Sequence, residues 1–176
     1  MKDLCDEQII ESWKKNVSPW VAAIQNGEIG SRLTVTNRAI LNAITVHKPK
    51  TVLDIGCGEG WLVRELVNSG IDVLGIDAIP EFIKYANEQG CGRFKTLAYE
   101  NISSSALAGK FDVIVSNFSL LGEASVNHVF KQVPMLLNKG GAFIVQTIHP
   151  IAGCETGKYE DGWRKGSWTG FSEHFC

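Results

Sequence analysis

Asp54, Gly56, Gly58, Gly60 and Asp77 are the residues whose types and spacing point to chemistry. The three alternate glycines follow the run Thr51 to Ile55, which is aliphatic and β-branched except for Asp54, the composition of a strand buried on both faces. Glycine lets a turn with positive φ lie close to a ligand with no Cβ in the way. From Trp61 the residues WLVRELVNSG place Leu62 and Leu66, and Val63 and Val67, at helical spacing, with Gly70 as a stop. The unit is strand, glycine turn, helix, and a helix N-terminus aimed at the turn favours negative charge or lone pairs there. Cys57 sits inside the turn, where it reads as a small residue in preference to a nucleophile. Asp77 closes a second strand, Asp72 to Ile76, about twenty residues after Gly56, the span of one βα crossover. A carboxylate at that place can accept two hydrogen bonds from a ribose diol. With Pro80 close behind, it can also cap the next helix. Ala78 and Ile79 then offer an apolar surface for a flat purine.

A dinucleotide fingerprint, G-x-G-x-x-G, would need its third glycine at position 61. Trp61 stands there, which disfavours a nicotinamide-dependent dehydrogenase. The order DIGCGEG, with a following strand that ends in a second acid, resembles the first motif of the class I S-adenosylmethionine-dependent methyltransferases. The resemblance runs from roughly Ile9 to Pro150. It implies an α/β fold with a Rossmann-like, doubly wound, mostly parallel sheet of strand order 3-2-1-4-5. N-terminal helices are implied to cover the cofactor and part of the substrate pocket. S-adenosyl-L-methionine is the implied cofactor. Asp54 and backbone carbonyls near Gly56 would face its ammonium, the glycine turn would admit its methionine portion, and Asp77 would take the ribose. Where the family often carries an acid for the adenine amino group, this chain has Ala98, followed by Tyr99. Glu100, Asn101 or a backbone carbonyl is then left to replace that contact, with Tyr99 along the ring edge.

The elements around this centre follow from periodicity. Asp6 to Ile24 spaces its apolar residues by three and four, and Pro19 predicts a division into two short helices. Arg32 lies in the next connector, as a partner for the cofactor's carboxylate or as an exposed surface arginine. A helix is predicted from about Thr36 to Val46. Beyond the first unit come a helix from Pro80 to Gly90, a third strand from Arg93 to Ala98 and a fourth from Phe111 to Ser116. A helix from Val126 to Leu137 stopped by NKGG follows, then a fifth strand from Ala142 to Thr147. Ligands of open α/β sheets sit outside the carboxyl edges of the strands, so Asn117, Phe118 and Glu123 are placed to meet the reacting methyl group or the substrate. His149, held extended by Pro150, is a candidate base at the same edge, or a loop histidine bonded to the backbone. His128 reads as a helix-surface residue.

The 176 residues suit one domain, divided into a helical cap (1–50), a cofactor-binding core (51–150) and an irregular tail or lid (151–176). That tail is too short and irregular for the family's closing helix and hairpin, so the hairpin is expected to be missing. An uncovered fifth strand invites self-association, or cover by Trp163, Trp168, Phe171 and Phe175. Hydrophobic residues at 44% and charged residues at 20% are globular values. Apolar runs are strand-sized, so no membrane partner is expected. With a net charge of -2 and no basic stripe, no nucleic acid is expected either. Five widely spaced cysteines without a C-x-x-C pair suggest neither a zinc site nor a disulfide framework. The N-terminus lacks the apolar core of a signal peptide, which places the chain in the cytoplasm as an expectation. Neither the Asn-Pro-Pro-aromatic motif of amino-methylating DNA enzymes nor a Pro-Cys nucleophile occurs. The sequence therefore reads as a methyltransferase for a small-molecule acceptor, or as a cofactor-binding protein without catalysis.

Overall fold

Short apolar runs with no alternation between faces demand cover on both sides, and the computed structural model, which describes residues 6–149, supplies it. Five parallel strands, β1 (Thr51–Ile55), β2 (Asp72–Asp77), β3 (Arg93–Thr96), β4 (Phe111–Asn117) and β5 (Leu137–Gln146), form one sheet in the order β3-β2-β1-β4-β5. This is the Rossmann-like order that the resemblance implied. Among the described residues five α-helices flank it: α1 (Asp6–Gln25), α2 (Asn37–Thr45), α3 (Trp61–Asn68), α4 (Pro80–Glu88) and α5 (Ala124–Leu136). Val52, Val113 and Val115 meet Ile40 and Ile44 of α2 and Leu62, Val63 and Leu66 of α3 on one face. Leu53, Ile55, Ile76 and Ile114 meet Ile102, Leu107, Val129, Val133 and Leu136 on the other. Reversal of the chain order at β1 and β4 opens a crevice at their carboxyl ends, where a doubly wound sheet binds ligands.

Three expectations need correction. Asp6–Gln25 is one helix with Pro19 inside it, not two. Its apolar stripe continues across the proline: Trp13 packs edge-on to Trp20, with ring centroids 5.4 Å apart, and leans on Phe82 of α4 at 6.1 Å. That packing outweighs the roughly 3 kcal/mol that an interior proline costs. Next, the NKGG stretch does not separate helix from strand, because β5 begins directly after α5 at Leu137. Phe111 pairs with Leu137 and Val113 with Ala142, so β5 carries three more residues than β4 over this interval and accommodates them as a bulge. Gly140 takes φ +80° there. Third, β3 ends at Thr96, and Tyr99–Asn101 form a 3₁₀ turn. A further irregularity precedes α2: Arg32–Thr36 form a π-helical turn, a local widening often found at functional sites.

Among the described residues β5 pairs with β4 alone, and no helix is long and apolar enough to cross a membrane. The tail from Ile151, with Trp163, Trp168, Phe171 and Phe175 and the expected missing hairpin, lies outside the described residues.

Candidate functional site

The glycine turn is fixed by backbone bonds to the end of β2. Gly56 N–H and Cys57 N–H both donate to the Ile76 carbonyl, at 2.8 and 2.9 Å. Asp77 completes the clamp: one carboxylate oxygen accepts from Gly58 N–H at 2.9 Å and the other from Ile79 N–H at 2.9 Å. Asp77 thus holds the N–H of Ile79, the residue just before α4, without capping a free N–H of the helix itself, and also grips the glycine turn. Each carboxylate oxygen keeps a lone pair, so a ribose contact remains chemically open. Burial raises the Asp77 pKa, against the lowering effect of the backbone hydrogen bonds. Asp77→Ala is expected to lower stability by ~1–3 kcal/mol and to weaken S-adenosylhomocysteine binding at least tenfold, because one change releases two backbone donors and any ligand bond. Thermal melts and calorimetric titration of the variant check both effects. Undiminished affinity in the folded variant would leave Asp77 with the clamp alone.

The three glycines are glycines for different reasons. Gly56, at φ +74°, passes so close to the loop after β4 that a Cβ would lie 2.4 Å from Ser119 Cβ and 2.7 Å from the Tyr99 hydroxyl. At Gly60, φ +85°, the same atom would strike Phe94 at 2.8 Å and Ala86 at 3.0 Å. Only Gly58, φ +54°, faces open space, with Trp20 Nε1 of α1 as its nearest neighbour at 4.0 Å from the position of a Cβ. Room for a ligand beside this turn is thus the room at Gly58, roofed by α1.

Asp54 lies beneath that turn, 2% exposed. Its Oδ1 has no hydrogen-bond partner among the described residues. Burial, followed by the charges of Asp77 and Glu59, pushes its pKa up to about 8. A buried carboxylate oxygen without a donor fits a group that brings its own N–H bonds and positive charge. Cys57 is buried and its thiol is raised well above its usual value, chiefly by burial, so it is a packed small residue and no nucleophile. Its sulfur fills the space where Gly75 lacks a side chain, 2.9 Å from the position of a Cβ.

Ala78 is half-buried, whereas Ile79 is 2% exposed and turned into the protein, so of this pair only Ala78 offers a surface to a purine. Tyr99 donates its hydroxyl hydrogen bond to the Ser119 carbonyl at 2.6 Å, and burial drives its pKa upward. Glu100 and Asn101 stand exposed on the 3₁₀ turn. Asn117 ends β4 with its Oδ1 buried and, among the described residues, unpartnered. Phe118 adopts φ +55° and donates its N–H to the Gln146 carbonyl at 2.8 Å. Arg32 stands 4.9 Å over the Trp61 ring. With Ala23, Ile24 and Glu65 these two line a cavity of about 220 Å³. The position of Arg32 is thus intermediate between the two roles considered for it. His149 is exposed at the end of the described residues, and His128 shares a 2.9 Å hydrogen bond with the Ile102 carbonyl.

Several contributors escape a reading of the sequence. Ser119 donates to the Ile55 carbonyl at 2.6 Å and meets the Ser116 hydroxyl at 2.6 Å, which laces the exit of β4 to the end of β1. Glu59 is buried and paired with Arg64 at 2.5 Å. Trp20, Thr36 and Gln146 are further examples. Only Gln146 leaves a trace, as a polar residue in the apolar run AFIVQT.

A family model described as a methyltransferase domain matches residues 46–165. The chain is 32% identical over 113 residues to a ubiquinone biosynthesis O-methyltransferase of Methylococcus capsulatus, covering 62% of this chain and 48% of that protein. It is 26% identical over 151 residues to a malonyl-[acyl-carrier protein] O-methyltransferase of Legionella pneumophila, covering 82% and 51%. The crystal structure of an S-adenosylmethionine-dependent methyltransferase from Mesorhizobium loti superposes with a TM-score of 0.55 at 27% identity, over 64% of this chain and 55% of that one. The chain therefore spans about half the length of the curated relatives it matches.

Proposed function

The chain belongs to the S-adenosylmethionine-dependent methyltransferase family, and from that premise we propose that it directs a methyl group to a small-molecule acceptor. The observation that carries this reading is the buried Oδ1 of Asp54, unpartnered among the described residues, at the end of the strand that leads into the turn where Gly58 faces open space. When bound, S-adenosylmethionine supplies an electrophilic methyl carbon on a sulfonium. Asp54 receives its ammonium, and the proton that Asp54 holds in the apo-protein leaves as that ion pair forms. Asp77 orders the turn through Gly58 and Ile79 and takes the ribose hydroxyls with its remaining lone pairs. Ala78 and Tyr99 border the purine. Trp20 on α1 is the nearest side chain to the open space at Gly58, 4.0 Å from the position of a Cβ, and would help to shield a methyl donor held there from water. Alignment there supplies up to ~7–11 kcal/mol of barrier reduction without a covalent enzyme intermediate. The outer edge of β5, with Val145 exposed, is the proposed surface for self-association.

Calorimetric titration with S-adenosylmethionine, S-adenosylhomocysteine and NAD tests the proposal. The first two are expected to bind and NAD is not; tight NAD binding with neither of the others would overturn it. A protein that binds the methyl donor yet consumes none with any acceptor would be the non-catalytic alternative.

A further inference from the structure

Four buried side-chain oxygens lack a hydrogen-bond partner among the described residues: Thr36 Oγ1, Asp54 Oδ1, Asn117 Oδ1 and Gln146 Oε1. Native folds seldom strand such atoms, and strand register and helix periodicity direct these four toward one edge of the sheet. Val113 and Val115 of β4 and Ala142 and Ile144 of β5 pack into the core beneath α2 and α3. Side chains alternate along a strand, so Asn117 and Gln146, which are register partners, point to that same face two residues further on. Asp54 pairs with Val115 and shares the face. Thr36 is turned toward the same edge by helix periodicity. It precedes Ile40 and Ile44, the buried residues of α2, by one and two helical repeats of four, and so lies on their stripe. The far end of α2 leads by a short turn into the start of β1, which sets its first residues over the carboxyl edge of the sheet, and α2 packs on β4 and β5.

We propose that Thr36, Asn117 and Gln146 are the recognition site for the methyl acceptor, and that the acceptor is a neutral hydroxylated small molecule. The proposal rests on the methyltransferase reading and names the substrate class for it. Asp54 is the one ionisable member of the four and is committed to the cofactor's ammonium. The other three are uncharged, and a charged acceptor would be buried against neutral dipoles alone, which is costly. A terminal amide can turn either its oxygen or its nitrogen to a ligand, and a threonine hydroxyl donates or accepts. A hydroxyl is the group that meets both polarities. Strand spacing and rise put Asn117 about 8 Å from Asp54, with Gln146 one strand beyond, so the acceptor lies beside the ammonium position and does not compete for it.

The test uses the full chain. S-adenosylhomocysteine is titrated first; with it saturating, catechol and cyclohexane-1,2-diol are compared by ligand-detected NMR with toluene, benzylamine and benzoate. The hydroxylated probes are expected to bind about tenfold or more tightly than the others, because a site built to hydrogen-bond a hydroxyl rejects analogues that lack it. Gln146→Leu and Thr36→Val should each remove that preference while S-adenosylhomocysteine affinity stays within about twofold. Their melting temperatures should not fall, since each deletes an unpaired buried oxygen. Preference for benzylamine or benzoate, no preference at all, or unchanged preference in both folded variants would overturn the proposal. A wild-type chain that fails to bind S-adenosylhomocysteine would overturn the methyltransferase reading itself; binding of it without hydroxyl preference defeats the acceptor site alone.

Discussion

Asparagine in place of Asp54 is expected to give a more stable apo-protein and a weaker cofactor site. The carboxyl group is 2% exposed, has an oxygen with no partner, and titrates at about 8 because of burial and then the charges of Asp77 and Glu59. In the unfolded chain the same group releases its proton near pH 3.9. Between those two values the folded state holds the additional proton, so this group's contribution weakens stability as pH rises from about 4 to about 8 and then stays level. At about 1.4 kcal/mol per unit the upper bound is ~6 kcal/mol, reduced by any water that enters the site. Asparagine has nearly the same shape and no charge to bury. The melting temperature of Asp54→Asn should therefore match wild type at about pH 4 and exceed it by several degrees at about pH 8. Cofactor binding should change in the opposite direction. Wild-type affinity for S-adenosylhomocysteine rises from about pH 6 to about pH 7.5 with release of a proton, whereas the variant binds ~10–100-fold more weakly and releases none. Calorimetry in two buffers of different ionisation enthalpy counts that proton. A melting difference independent of pH, together with equal affinities, would remove Asp54 from the site.

The same carboxylate shows what local sequence can carry. The placement of Asp54, the glycine turn and Asp77 was legible because it is set within one βα crossover: a strand with no polar face, a turn that demands positive φ, and an acid where the next strand ends. Strand order followed from the family resemblance. Whatever depended on distant partners was not legible. Pro19 reads as a break until Phe82 is known to lie against Trp13, and NKGG reads as a helix stop until β4 is known to tolerate the bulge opposite it. Ser119 carries no motif, yet its hydroxyl reaches the Ile55 carbonyl 64 positions away in the chain. Thr36 and Gln146 are ordinary residues of a helix entry and a strand end. They acquire significance from burial without partners, a property of the assembled edge.

The glycines make the same distinction testable, because one motif contains residues with opposite reasons for existing. Gly56→Ala would put a methyl group 2.4 Å from Ser119 Cβ and 2.6 Å from its hydroxyl oxygen, both fixed by the bonds to Ile55 and Tyr99. Those bonds must yield, and alanine at φ +74° adds ~1–2 kcal/mol of backbone strain. The expected loss is ~3–5 kcal/mol of stability, a large share of the whole for a domain of this size. Gly58→Ala incurs only the strain of φ +54°, again ~1–2 kcal/mol, since its nearest neighbour stands at 4.0 Å. Its methyl group instead enters the one open space beside the turn, so S-adenosylhomocysteine affinity should fall at least tenfold, and nearly vanish in Gly58→Val. Urea unfolding and ligand titration of the two alanine variants separate the effects: Gly56→Ala mainly shifts the denaturation midpoint, Gly58→Ala mainly weakens the binding isotherm. Should Gly58→Ala remain folded and bind as wild type, the ligand does not lie on this turn and the cofactor site must be sought elsewhere along the carboxyl edge of the sheet.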